Sequence, residues 1–257
     1  GDCYIVAKYR DDTDKKDILS GPSYINITQE DAGTKKNIKE EIIDIEVLPY
    51  RPIVASGLSF NFTGVGTFFN PVAKKYSLRD ISQYSNWLLR QLDGPMKIKS
   101  GRQIYFPSYG RYEAVCQYQD LEGVSNEMET KEAPLKFDSG LKHITVLPKF
   151  IFTAVGEEDE FRAFATYNNN KVEDITAKVS WEAGDDDVLG LSAPGRFVSK
   201  TQGISQITAK LNGITSVPVK AVVVGSKEMI PVGDILPDKQ KDKEREKDKN
   251  QKEQEAV

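Results

Sequence analysis

The sequence predicts a mainly β protein whose C-terminal half forms a β-sandwich. Short runs of residues between Phe161 and Val224 alternate apolar and polar side chains, which is the period of a half-buried strand. Turn-forming residues separate these runs, at Asn168–Asn170, Gly184–Asp187, Pro194-Gly195, Gly203 and Asn212-Gly213. Several short strands at this spacing are typical of an immunoglobulin-like sandwich.

The strand-forming runs can be placed in order along this half. They are Phe161–Tyr167, Asp174–Glu182, Gly195–Lys200, Ile204–Leu211 and Ser216–Val224. Trp181 is the largest side chain among them, so we expect it to anchor the core between the two sheets. Gly195 and Gly203 are expected in turn conformations that a Cβ atom disfavours.

The order of landmarks in these strands is more specific than the fold class. The landmarks are Ala165-Thr166-Tyr167, Asp174-Ile175-Thr176, Val179-Ser180-Trp181, Gly195-Arg196-Phe197-Val198, and Gly203 followed by Ile207-Thr208-Ala209. This order resembles the bacterial Ig-like domain, group 2 (BIG2, the invasin/intimin type), over about residues 142–224. The resemblance implies a bacterial, extracytoplasmic protein in which the domain serves as a spacer or binding module without catalysis.

Residues 1–138 are expected to form a second β-rich domain, either a sandwich or a jelly roll with one helix. The strand-like runs are Cys3–Tyr9, Glu41–Leu48, Leu58–Thr63, Gln103–Phe106 and Arg111–Tyr118. The helix is predicted over Ser77–Leu92, because Leu78, Ile81 and Leu88 share one face at a period of 3.6 residues.

The end of the chain differs from both predicted domains. After the sandwich at 142–225, residues 226–237 are apolar with two prolines and predict an extended strap lying on a domain or on a partner's sheet edge. Residues 238–257 are almost entirely charged or amide side chains, and we expect this tail to be disordered.

Composition and charge exclude some classes of partner. The chain has 257 residues and a net charge of −4, which provides no general attraction to nucleic acid. It contains no apolar run of about 20 residues, so no membrane span is expected in this chain.

The two cysteines, Cys3 and Cys116, allow three interpretations. Given the resemblance to an exported family, we favour one disulfide between them. The alternatives are two unrelated thiols, or a Cys3 that is the lipidated first residue of a lipoprotein.

The sequence offers little that could perform catalysis. It contains none of the familiar metal, phosphate-loop or nucleophile-elbow motifs. Its one histidine, His143, is expected to point outward from a first strand and to be structural. No catalytic residue and no cofactor are therefore predicted.

Two acidic clusters are candidate calcium sites, because calcium prefers about six to eight oxygen ligands. The clusters are Asp11, Asp12 and Asp14, and Asp185, Asp186 and Asp187. Neither has the spacing of an EF-hand, and a solvated acidic turn is the simpler interpretation of each.

Aromatic side chains near arginines form a candidate ligand-binding patch. The patch is centred on Tyr109 and Tyr112, with Trp87 and Arg111 beside them. Many aromatic residues at strand positions belong to a core, which is the competing interpretation.

Together these observations predict a non-catalytic, exported bacterial protein. We expect a structural or adhesive module of the cell surface or of an envelope-associated assembly, whose partner is a protein or a surface glycan. One alternative is a carbohydrate-binding module that uses the N-terminal aromatics. Another is an N-terminal enzyme domain with the BIG2-like domain as its spacer.

Overall fold

The structure is a computed structural model that describes residues 40–95, 97–133, 135 and 138–236, together with the backbone of four short strands before residue 27. The chain divides into two compact units, Gly1–Ile38 and Lys39–Val257. From the sequence, this first unit was predicted to be part of one domain that extends to residue 138. The structure describes the first unit's strands as β1 (Asp2–Ile5), β2 (Lys8–Arg10), β3 (Asp17–Leu19) and β4 (Ser23–Asn26). Strand β1 pairs antiparallel with β4, and β2 with β3.

The second unit contains two β-sandwiches in tandem. The strands of the first sandwich are β5 (Glu41–Leu48), β6 (Val54–Ala55), β7 (Ser59–Asn61), β8 (Thr63–Asn70), β9 (Lys75–Asp80), β10 (Asn86–Gln91), β11 (Lys97–Ser100), β12 (Gln103–Tyr105), β13 (Arg111–Tyr118), β14 (Leu121–Val124) and β15 (Met128–Lys131).

Two main sheets and a short ribbon form this first sandwich. One sheet has the order β5-β8-β9, and the other has the order β11-β10-β13-β15-β6 with β14 added to β13. Strands β12 and β7 pair as the ribbon. The inward side chains of both sheets form one core, whose largest fully buried members are Trp87, Tyr112, Phe62 and Phe106.

The second sandwich repeats this plan. Its strands are β16 (Leu141–Leu147), β17 (Phe150–Ala154), β18 (Glu158–Glu160), β19 (Arg162–Tyr167), β20 (Val172–Asp174), β21 (Ser180–Ala183), β22 (Leu189–Ala193), β23 (Arg196–Ser199), β24 (Gly203–Leu211), β25 (Ile214–Thr215) and β26 (Val219–Val224).

The second sandwich pairs its strands as the first does, except that β22 joins β23 whereas β11 joins β10, and it too has three sheets. They have the orders β16-β19-β20, β17-β26-β24-β21 with β25 on β24, and β18-β23-β22. Trp181 is buried in the core, where its ring packs edge-on against Phe197 at a centroid distance of 6.0 Å. Gly195 has a φ of +75°, and a Cβ atom there would lie 2.3 Å from the carbonyl oxygen of Phe161, so the expected turn glycine is required on both counts.

The predicted mainly β fold is confirmed, but the predicted helix over Ser77–Leu92 is wrong. This segment contains the end of β9, a turn, and β10. The turn is closed by the Asp80 carboxylate, which accepts a hydrogen bond from the backbone N–H of Ser82 at 2.8 Å. The helical period was a coincidence of spacing, because Ile81 is buried between the two strands whereas Leu78 on β9 and Leu88 on β10 are only partly buried.

Equivalent hydrogen bonds show that the two sandwiches are copies of one fold. The indole N–H of Trp87 donates to the carbonyl of Ser82 at 2.9 Å. The indole N–H of Trp181 donates to the carbonyl of Thr176, five residues before it, at the same 2.9 Å. Each tryptophan therefore ties a core strand to the turn that precedes it.

A second matching pair of hydrogen bonds joins β13 to the residue after β14, and β24 to the residue after β25. The backbone N–H of Ala114 donates to the hydroxyl of Ser125 at 2.9 Å, and that of Ala209 donates to Ser216 at 3.0 Å. In each case the serine N–H returns a hydrogen bond to the alanine carbonyl. Because both networks recur on the same strands, the likeness extends beyond strand order to individual side chains.

Candidate functional site

The functional feature that the geometry defines best is the junction where the two sandwiches meet. The outer face of the β5-β8-β9 sheet contacts the outer face of the β16-β19-β20 sheet. The shared apolar cluster consists of Leu48, Val65 and Leu78 from the first sandwich and Leu147, Phe164 and Val172 from the second. Leu48 and Leu147 are both 0% exposed, so this contact excludes water at its centre.

The residues that meet in this cluster hold equivalent positions in the two copies. Val65 lies opposite Glu46 in the β5–β8 register, and Phe164 lies opposite Thr145 in the β16–β19 register. Contact between equivalent surfaces is the arrangement of a two-fold dimer. The junction is thus a pseudo-two-fold interface made within one chain.

Hydrogen bonds on the two sides of the cluster follow the same approximate symmetry. The backbone N–H of Phe152 donates to the Tyr76 hydroxyl at 3.1 Å. On the other side, the N–H of Ile53 donates to the side-chain oxygen of Asn170 at 2.9 Å, and the Asn170 amide donates back to the Ile53 carbonyl at 2.6 Å. Burial of the Tyr76 hydroxyl raises its pKa above the usual range, so it stays protonated.

The segment after the last strand closes one side of the junction. Of this strap, the structure describes residues 226–236, which contain a 3-10 turn at Lys227–Met229 and one helical turn, α1, at Val232–Ile235. It is therefore less extended than the sequence predicted. Ile230 and Leu236 are 4% and 2% exposed, and they pack with Phe69 and Ala154 from the two sandwiches.

An ion-pair network connects the strap with both sandwiches. Glu157 lies 2.8 Å from the ammonium of Lys75 in the first sandwich and 2.8 Å from that of Lys227 in the strap. Hydrogen bonds from Lys227 and Lys75 lower the pKa of Glu157. Asp159 lies 3.6 Å from the same Lys75 ammonium and accepts a hydrogen bond from Thr153 at 2.5 Å. Its burial raises its pKa. Partly exposed pairs contribute little alone, so the apolar cluster supplies most of the stabilisation.

A cleft of about 300 Å³ opens at the same junction. Glu46 and Tyr50 of the first sandwich and His143 of the second line it, and the rings of Tyr50 and His143 stack at 3.7 Å between centroids. His143 was expected to point outward, but it is half-buried against the neighbouring sandwich. Sequence analysis missed this cleft because its walls come from segments far apart in the chain.

The predicted aromatic patch is not a surface patch. Trp87 and Tyr112 are fully buried in the first core, so they were wrongly assigned to ligand binding. Tyr109 is exposed, and Arg111 is exposed and pairs with Glu127 at 3.3 Å. Neighbours on β13 point alternately in and out, which separates Arg111 from Tyr112, and Tyr109 lies before that strand.

The acidic loop at Asp185–Asp187 is a hydrogen-bonded turn. The Asp185 carboxylate accepts the N–H of Asp187 at 3.0 Å and that of Val188 at 3.3 Å. Within the described part of the chain, no three His, Cys, Asp or Glu side chains are grouped so that they could hold a metal ion. The other predicted calcium cluster, Asp11, Asp12 and Asp14, lies outside the described residues, as does the charged tail at 238–257.

The predicted disulfide is not shown by the structure. Cys116 is a free cysteine, fully buried on β13 in the core of the first sandwich. A Cβ atom on Gly64 would lie 2.7 Å from the Cys116 sulfur, so the thiol packs tightly against the β8 backbone. The side chain of Cys3 lies outside the described residues, and its pairing stays a prediction.

None of the helices that the structure describes is long and apolar enough to cross a lipid bilayer.

Comparison with known proteins finds only distant likenesses. No family model matches the chain, so the BIG2 resemblance stays a prediction. Ice-binding protein 1 of Shewanella frigidimarina (strain NCIMB 400) is 23% identical over 194 residues, which cover 74% of this chain and 21% of that protein. The chain thus spans about a fifth of that relative's length.

Solved structures of surface-layer protein domains also align with the chain. Domains 4 and 5 of the S-layer protein SbsC align over 72% of this chain and 100% of theirs, with 13% identity and a TM-score of 0.29. SbsC domains 1–6 align over 81% of this chain and 30% of theirs, with the same identity and TM-score.

Proposed function

We propose that the chain is a non-catalytic structural module of an exported bacterial surface protein, in which two immunoglobulin-like sandwiches form a rigid pair. In this role the module holds neighbouring parts of a longer protein or assembly at a fixed spacing. Its adhesive or assembly partners are a protein or a surface glycan.

The pseudo-two-fold junction is the observation that carries this proposal. Tandem domains joined only by a linker move relative to each other unless their interface is large and apolar. Here a dry apolar cluster, paired hydrogen bonds and the strap hold the sandwiches together. A rigid pair keeps its two ends at a fixed distance and orientation. A spacer requires this rigidity, whereas an enzyme with a hinge between its domains does not.

The extracytoplasmic location is supported by two weaker observations. One is the resemblance of residues 142–224 to BIG2 domains. The other is the distant likeness to a protein named for ice binding, a task performed where ice grows. Ice binding itself is not proposed, because the likeness covers about a fifth of that protein.

The rigidity can be tested with residual dipolar couplings of backbone N–H groups. A rigid pair requires that couplings from the sandwiches at 41–131 and 141–224 fit a single alignment tensor. As a control, replacing the exposed side chain in Ile204→Ala should leave that single tensor unchanged. Two tensors of different magnitude in the parent protein would contradict the proposal.

The location can be tested separately on intact cells that produce the protein. A membrane-impermeant amine reagent should label it before lysis, since exposed lysines are plentiful. A cytoplasmic protein labelled in parallel is the control. Labelling that appears only after lysis would place the protein inside the cell.

A further inference from the structure

The cleft at the junction has features that a rigid spacer does not need. It is about 300 Å³, at the lower end of the range for small-molecule sites. Residues of both sandwiches line it, so the rigid pair forms the cleft in advance of any ligand. A preformed site loses less free energy on binding than one that must first be ordered.

One wall of the cleft is the ring stack of Tyr50 and His143. The two rings are separated by 3.7 Å and inclined by 17°. Burial, followed by the charges of Arg51 and Lys142, lowers the pKa of His143. Near pH 7 the imidazole is therefore neutral and presents one hydrogen-bond donor and one acceptor.

The charged groups that line the cleft neutralise each other. The Lys149 ammonium pairs with the Glu46 carboxylate in direct contact. Burial raises the pKa of Glu46, an effect that Lys149 opposes. A neutral ligand can form hydrogen bonds to these groups without separating the pair, whose Glu46 side chain is only 17% exposed.

Two further residues of the lining lack the contacts their chemistry favours. Thr145 is 7% exposed, and its hydroxyl has no hydrogen-bond partner among the described residues. An unsatisfied buried hydroxyl is costly and calls for a partner. At the rim, Val217 is 67% exposed and is followed by Pro218, which gives an uncovered apolar wall.

We infer that this cleft binds a neutral saccharide. A pyranose ring combines an apolar C–H face, which fits the wall at Val217 and Pro218, with hydroxyls that both donate and accept. Those hydroxyls match the neutral imidazole of His143, the carboxylate of Glu46 and the hydroxyl of Thr145. The ring carries no charge, so the Glu46–Lys149 pair stays intact.

The chain has a single histidine, which makes the test direct. The intact protein is titrated with glucose, galactose, N-acetylglucosamine and maltose, and the carbon-bound proton signals of the His143 imidazole are followed by NMR. We expect at least one saccharide to shift these signals saturably, with a Kd on the order of 1 mM.

Matched variants distinguish the cleft from nonspecific effects. Val217→Asp places a charge on the apolar rim, where exposure makes misfolding no concern, and should weaken binding about 10-fold. Ile204→Asp, at an exposed position that does not line the cleft, should bind like the parent. The inference is overturned if no neutral saccharide moves the signals, if only charged sugars do, or if Val217→Asp binds as tightly as the parent. None of these outcomes would affect the rigidity test.

Discussion

At the scale of single residues, the two tryptophans hold equivalent places in the two cores. Trp87 is 0% exposed and Trp181 is 7% exposed. Each indole N–H donates to a turn carbonyl, so neither buries an unsatisfied donor. A buried tryptophan that also closes a hydrogen bond contributes more to stability than its apolar area alone.

Replacing Trp181 by alanine should therefore destabilise the second sandwich by about 3–5 kcal/mol, through lost contacts and the resulting cavity. Urea unfolding followed by far-UV circular dichroism measures the loss. Trp181→Phe, which retains a large ring, should lose less. If Trp181→Ala unfolded at the parent's urea concentration, the assignment of Trp181 as the core anchor would fail.

Cys116 allows a second prediction at this scale. The thiol is fully buried, and burial raises its pKa, so two effects protect it from reaction. We expect a thiol reagent to label Cys116 only after the protein is unfolded without reductant. A denatured, unreduced chain with no reactive thiol would instead support the Cys3–Cys116 disulfide.

At the scale of elements, the predictions succeeded where one face of a strand is buried. The predicted strands Glu41–Leu48 and Arg111–Tyr118 match β5 and β13 residue for residue. Alternation was clear there because each strand lies between a core and a second surface. The segment Ser77–Leu92 was misassigned because a strand, a turn and a strand together mimic a helical period.

The strap shows a second limit of prediction from sequence patterns. Its apolar residues led to the expectation that some of the segment would pack against a folded surface. Composition could not tell which residues, since Met229 is 59% exposed while its neighbour Ile230 is 4% exposed. The difference depends on the groove that both sandwiches form, and the sequence pattern carries no information about that groove.

This difference provides a matched pair of variants in the strap. Leu236→Ala should lower the free energy of unfolding by about 2–5 kcal/mol, because Leu236 is almost fully buried at the junction. Met229→Ala should change it by less than about 0.5 kcal/mol. Thermal or urea unfolding checks both, and equal effects would mean that the strap does not occupy the groove.

At the scale of the whole molecule, the tandem repeat was visible in the sequence but was not recognised. Val47-Leu48-Pro49 recurs as Val146-Leu147-Pro148, and Asp80-Ile81-Ser82 recurs in kind as Asp174-Ile175-Thr176. Outside these two short segments the sequences of the two sandwiches differ. The correspondence therefore becomes clear only when the two folds are compared strand by strand. The junction, and with it the cleft, could not be predicted because it depends on how two folded copies pack.

A pseudo-two-fold junction that is apolar at its centre should make the two sandwiches unfold together. With Trp87 in one sandwich and Trp181 in the other, the single variants Trp87→Phe and Trp181→Phe each leave one fluorescent reporter. If the junction couples the domains, both reporters should follow the same urea transition, after allowance for each variant's own loss of stability.

Leu147→Ala in these two backgrounds should separate the transitions. Leu147 is 0% exposed in the shared cluster, so its truncation removes apolar contact from both sandwiches and leaves a cavity between them. With the junction weakened, the less stable sandwich should unfold at a lower urea concentration while the other stays folded. The exposed variant Ile204→Ala should leave the reporters coincident. Separate transitions in the parent backgrounds, before Leu147 is changed, would show that the sandwiches fold independently and that the junction does not hold them as one body.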